Sequence, residues 1–131
     1  MHRKVLLVDV EPILLTSLKA FLEGAGHEVV TAEDGSAALG LIQSDQPDAI
    51  LCDLRMPGRG GLELCRTIRD NPEWEQIYLI VLTAAPQDPG VQQVKKIGIQ
   101  LLLPKPFPPE QLLHALQNGR TDQPQSPSDN S

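Results

Sequence analysis

The sequence predicts an α/β domain built on a doubly wound, five-stranded parallel sheet. Three observations carry this. Short apolar runs alternate with helix-spaced apolar patterns five times along the chain, the signature of a parallel sheet with helices on its faces. The run Ala49-Ile50-Leu51-Cys52 is unbroken, which fits a strand covered on both sides. Prolines at first turns and glycines at ends punctuate these patterns, while Gly40 weakens the second helix by about 1 kcal/mol. Right-handed crossovers then wind the helices onto both faces.

Taken in order, Lys4 to Val8 reads as a buried strand closed by Asp9. Pro12 opens a helix, since proline suits a first turn. Its apolar positions are Leu14, Leu18, Phe21, Leu22 and Ala25, and Gly24 and Gly26 end it. His27 to Thr31 is the second strand. Ser36 to Ser44 is the second helix, with Ala38, Leu39 and Ile42 inward. Asp48 to Asp53 holds the third strand, and Met56-Pro57-Gly58 is a loop. Gly61 leads into a helix over Leu62 to Arg69, with Leu64, Cys65 and Ile68 apolar. Ile77 to Leu82 is the fourth strand. Asp88-Pro89 is a cap followed by a first turn, with Val91, Val94 and Ile97 behind it. Leu101 to Leu103 is a short fifth strand. Pro109 opens the last helix, which runs to about Gln117 and buries Leu112, Leu113 and Leu116.

The chain of 131 residues fits one domain, residues 1–118. Residues 119–131 contain no apolar side chain and read as a disordered tail or linker. Aromatics make up only 3%, so aliphatic side chains must build the core. The net charge of −6 disfavours direct binding of nucleic acid, yet leaves room for a cation in an acidic pocket. Cys52 and Cys65 lack metal-ligand or redox spacing, so they read as reduced thiols, with a disulfide as the other reading. No stretch is long enough to span a bilayer, and the basic start is followed too soon by Asp9 and Glu11 to be a signal peptide. A cytoplasmic protein with no membrane contact is the expectation.

In doubly wound sheets ligands bind beyond the carboxyl ends of the strands. Asp9 stands there after the first strand, with Glu11 two residues on. Asp53 ends the third strand, Thr83 follows the fourth, and Lys105 follows the fifth. Each residue alone is ordinary as a turn, cap or surface group. Together they make a set suited to phosphoryl transfer. A carboxylate can act as nucleophile. Oxygen ligands can hold a hard divalent cation that neutralises the transferring group. A hydroxyl and an ammonium can hold the remaining phosphoryl oxygens.

Four segments carry a family resemblance: Val8-Asp9-Val10-Glu11-Pro12; Asp53-Leu54-Arg55-Met56-Pro57 with Gly61-Leu62-Glu63-Leu64; Leu82-Thr83-Ala84; and Lys105-Pro106-Phe107. Over about residues 4 to 117 the chain resembles the receiver domains of two-component response regulators. The intervals are the specific part: 44 residues from Asp9 to Asp53, 30 to Thr83 and 22 to Lys105.

The resemblance implies a flavodoxin-like sheet of strand order 2-1-3-4-5 and a signalling switch rather than an enzyme. It implies that Asp53 accepts a phosphoryl group from a histidine kinase or phosphotransfer protein. Mg2+ would bind Asp53, the acids after the first strand (Asp9, with Glu11 able to reach in) and the backbone carbonyl of Arg55. Thr83 and Lys105 would hold the phosphoryl group, and the Lys105-Pro106 bond would be cis. Partner binding would then change on the face formed by the fourth helix, fifth strand and fifth helix. A downstream protein, an output domain or a second copy of the chain would receive the signal.

Two positions depart from the family pattern. Val10 stands where a directly ligating acid is usual, which implies weak Mg2+ binding. Leu102 stands where an aromatic ring usually moves with the threonine. Val10 opens an alternative: a degenerate receiver that docks partners without phosphorylation. Asp9-Val10-Glu11 also faintly resembles the Asp-x-Asp of haloacid-dehalogenase-like phosphatases, but the chain is short for that family and has no acidic pair after Lys105.

Overall fold

The computed structural model describes residues 3–56 and 60–118. Within them the five predicted strand–helix units are present: β1 (Lys4–Val8), α1 (Pro12–Gly24), β2 (Glu28–Ala32), α2 (Gly35–Asp45), β3 (Ala49–Asp53), α3 (Gly61–Asp70), β4 (Tyr78–Thr83), α4 (Pro89–Ile97), β5 (Leu101–Pro104) and α5 (Pro109–Asn118). The strands form one parallel sheet of order β2-β1-β3-β4-β5. Pro57 and Gly58 of the expected loop, and the expected tail at 119–131, lie outside the described residues.

Strand alternation splits the core in two, because successive side chains point to opposite faces. Val5, Leu7, Val29, Leu51, Ile80 and Leu82 meet Leu15, Leu18 and Leu22 of α1 and Leu112 and Leu116 of α5. Leu6, Val8, Ile50, Cys52, Leu79 and Val81 meet Ala38 and Ile42 of α2, Leu64, Cys65 and Ile68 of α3, and Val91 and Val94 of α4. The central strand β3 is buried at all five positions, as its unbroken apolar run requires.

The differences from the expected elements are local. Strand β2 is shifted by one residue and leaves His27 ahead of it. Ala25, at helical spacing, lies past the last residue of α1 and is exposed, while Leu15 takes the buried position. Leu39 and Leu113 are half-buried flank positions. A short 3-10 turn at Pro72–Trp74 joins α3 to β4. Its cap is Asn71, whose side chain accepts from the Glu73 amide at 2.9 Å. Three residues give no helical period to read.

Cys52 and Cys65 lie side by side under β3 as free, buried thiols, Sγ to Sγ 3.7 Å. They are therefore not a disulfide. Among the described residues no helix is long and apolar enough to cross a membrane.

Candidate functional site

The sheet register brings the selected residues to one edge. Val8 pairs with Cys52, Asp53 with Leu82, and Thr83 with Pro104. Asp9, Asp53, Thr83 and Lys105 thus each stand at or one step beyond a strand's carboxyl end. Asp9, Asp53 and Thr83 are all buried.

Lys105 joins them. Its Nζ lies 3.0 Å from Asp53 Oδ2 and 3.0 Å from Asp9 Oδ2. The contact with Asp53 is a well-formed hydrogen bond. The contact with Asp9 is an ion pair, and Asp9 Oδ2 is buried with no other hydrogen-bond partner. Glu11 Oε2 stands farther off, 3.6 Å from Lys105 Nζ, on a largely exposed side chain. Lys105 itself is positioned by its backbone: its amide donates to the Thr83 carbonyl at 2.8 Å, and the Lys105–Pro106 peptide is cis, as the resemblance implies.

The backbone supports each acid. The Glu11 amide donates to Asp9 Oδ1 at 3.0 Å, and the Arg55 amide reaches toward Asp53 Oδ1 at 3.4 Å. Thr83 Oγ1 donates to the Ala85 carbonyl and accepts from the Ala85 amide, both at 3.1 Å. Its hydroxyl is thus held beside the pocket rather than on Asp53.

Burial raises the Asp53 carboxyl, and the negative charge of Asp9 adds to this; Lys105 pulls the other way without cancelling it. For Lys105, burial acts downward, but the two carboxylates outweigh it and the ammonium is held above its ordinary range. The pocket therefore concentrates negative charge around the half-buried Lys105 ammonium. Such a charge balance accommodates a further anion only with additional positive charge.

The donors available for a cation are hard oxygens, the type Mg2+ takes. Asp9 and Asp53 bring two carboxylates to the edge, both paired with Lys105. Val10 supplies none: it is 37% exposed and presents only methyl groups. Among the described residues no three His, Cys, Asp or Glu side chains converge as a metal site. The residues fit an oxygen-ligated cation with one carboxylate fewer than the resemblance implies.

Two contacts escaped the reading of the sequence, although it named both residues. Arg55, two residues past Asp53, forms a paired contact with Asp88, Nε to Oδ2 at 2.6 Å and Nη2 to Oδ1. The same Asp88 caps α4, Oδ1 accepting from the Gly90 amide at 2.8 Å. The Arg55 hydrogen bond, with that of Gly90, holds the Asp88 carboxyl down to about 2. The other is made by Gly61, which packs on the backbone of Asp53 and Leu54. The Asp88-Pro89 cap signal was readable; its second partner, 33 residues away, was not.

Comparison with known proteins agrees with this geometry. Residues 5–117 match the response regulator receiver domain family. The response regulator MprA of Mycolicibacterium vanbaalenii is 39% identical over 112 residues, 84% of this chain and 47% of MprA. The chain thus spans about half the length of that relative. Protein PilH of Pseudomonas aeruginosa is 33% identical over 113 residues, covering 86% of this chain and 93% of PilH. Among solved structures, the chemotaxis response regulator CheY4 of Vibrio cholerae superposes with a TM-score of 0.82 at 34% identity, over 89% of this chain and 98% of CheY4. The receiver domain of the sensor histidine kinase PA1611 of Pseudomonas aeruginosa, with a magnesium ion coordinated in its active site cleft, gives 0.83 at 29% identity, over 93% of this chain and all of that one. On the sheet order, the strand-end site and these likenesses, the chain belongs to the response regulator receiver domain family of two-component signalling.

Proposed function

We propose that this receiver takes a phosphoryl group on Asp53 from a histidine kinase or phosphotransfer protein and thereby changes its affinity for a downstream partner, output domain or second copy. The observation that carries this is the Lys105 ammonium held 3.0 Å from both Asp53 Oδ2 and Asp9 Oδ2 at the sheet edge.

In the step, an Asp53 carboxylate oxygen attacks the phosphorus of a phosphohistidine. The new O–P bond forms as the N–P bond breaks, and the donor imidazole leaves with the electron pair and takes a proton from water. Lys105 pairs with a phosphoryl oxygen. Thr83 Oγ1 turns from the Ala85 carbonyl and donates to another. Ile13, 82% exposed in the first turn of α1 next to this edge, offers apolar surface to the donor.

Asp9, Asp53 and the Arg55 carbonyl would hold Mg2+, with Glu11 as the side chain that can make up for Val10. When bound, Mg2+ neutralises charge on the transferring group. The burial that raises Asp53 makes this neutralisation matter more here than at an open site.

A second reading is a receiver that docks partners without phosphorylation. Val10 favours it, because the side chain in that position cannot ligate a cation. Treatment with a small phosphodonor at high Mg2+, with Asp53→Asn as control, separates the two. Label on Asp53 supports the first reading; a folded protein that takes none supports the second.

A further inference from the structure

We propose that Arg55 is a charge-competed latch: it pairs with Asp88 while Asp53 is a free carboxylate, and turns to the phosphoryl group once Asp53 is phosphorylated, releasing the first turn of α4. This rests on the reading of Asp53 above and adds the element that responds.

The two ends of α4 are held differently. At the C-terminal end Arg69 of α3 donates to the Gly98 carbonyl at 2.9 Å, to the Ile77 carbonyl at 2.9 Å and to Gln100 Oε1 at 2.8 Å. Gln100 Oε1 also accepts from the Leu79 amide at 2.7 Å. That end is stitched into the sheet. The N-terminal end depends on Asp88, which caps Gly90 and is paired to the side chain of Arg55. Gly90 rests on Leu54, since a Cβ there would meet both Leu54 methyls at 3.4 Å. A shift of the first turn of α4 therefore opens over the residue that follows Asp53.

Arg55 is rooted at the reacting atoms and free to turn. Its amide is 3.4 Å from Asp53 Oδ1, while its side chain is 68% exposed. Turning it gives up the pair with Asp88 and little packing. A guanidinium accepts either a carboxylate or a phosphoryl group as a bidentate partner. Phosphorylation replaces one negative charge on Asp53 with a group carrying about −1.5 to −2 and three strong acceptor oxygens. The competition for Arg55 then favours position 53. Asp88, only 11% exposed in its side chain, is left without its cation at the α4 cap. A switch needs a named charge change and an element it biases; here they are the phosphoryl group and the first turn of α4. No aromatic ring is needed, and Leu102 supplies none.

The test uses the full chain with beryllofluoride, an acyl-phosphate mimic, at high Mg2+. Fluorine NMR reports occupancy, with Asp53→Asn as control. Amide hydrogen exchange at Gly90 and Val91 reports the first turn of α4. In the wild type, occupancy should speed exchange at both amides several-fold. In Arg55→Ala, which alters only an exposed side chain, exchange should already be fast before the mimic is added and should not rise further. Occupancy with unchanged exchange in the wild type, or wild-type exchange in unliganded Arg55→Ala, overturns the latch and leaves the reading of Asp53 intact. A folded protein that never binds the mimic overturns both.

Discussion

Gly61 packs so closely on Asp53 that a Cβ built on it would overlap the Asp53 carbonyl oxygen and stand 2.8 Å from the Leu54 Cα. The obstacle is backbone at the end of a fully buried strand, so it cannot swing aside. Gly61→Ala should therefore destabilise the fold by about 1–3 kcal/mol, the usual range for overpacking. Urea unfolding should show a lower midpoint at unchanged slope, and the Asp53 amide region should shift in NMR spectra. A midpoint equal to wild type would mean that the close approach is relieved at no cost.

Mg2+ binding should be weak and improvable. Val10→Asp restores a carboxylate next to Asp9 and should raise affinity about tenfold, worth ~1.4 kcal/mol. Glu11→Gln should lower it, because Glu11 Oε2 already reaches within 3.6 Å of Lys105. Calorimetry on the three proteins checks both. No heat from any of them, with folding intact, would favour the phosphorylation-independent receiver.

The Arg55–Asp88 pair should be visible in a titration. Asp88 titrates at about 2 against an ordinary 3.8, so its ion pair stabilises the fold fully above pH 3.8 and loses that effect as the pH falls toward about 2. An NMR titration should place the Asp88 midpoint near 2 in the wild type. Arg55→Ala should move it up toward 3.8, because the guanidinium is gone and the Gly90 cap that it steadies is loosened. A wild-type midpoint at the ordinary value would contradict the pairing.

The two cysteines should be inert in the native protein. The Cys65 contact raises the Cys52 thiol, and burial raises it further, so the reactive thiolate is scarce. Neither sulfur is reachable by solvent. An alkylating reagent should leave both unmodified under native conditions and modify both in denaturant. Fast native alkylation of either would show that β3 and α3 separate far more readily than their packing implies.

The fold was legible because its signals are local. Apolar runs mark the strands, and proline at a first turn marks α1, α4 and α5. The four site residues were legible because a parallel sheet gathers strand ends, so position along the chain becomes position in space. Ala25 misled because its helical spacing runs one residue past Gly24, where α1 ends, into the turn that Gly26 makes at φ +99°. The Arg55–Asp88 pair, the Arg69 contacts and the Gly61 approach could not be read. Each joins segments whose separation only the packed helices define, and an arginine on a helix surface looks the same in sequence whether or not it has partners.

The proposed role of the edge around Lys105 is to make Asp53 a phosphoryl acceptor. Its most direct test is incubation with a small phosphodonor and high Mg2+, followed by mass mapping. One phosphoryl group should appear, on the peptide carrying Asp53, and should vanish in Asp53→Asn. Label on Asp9 or Glu11, or a folded wild-type protein that takes no label, would contradict it.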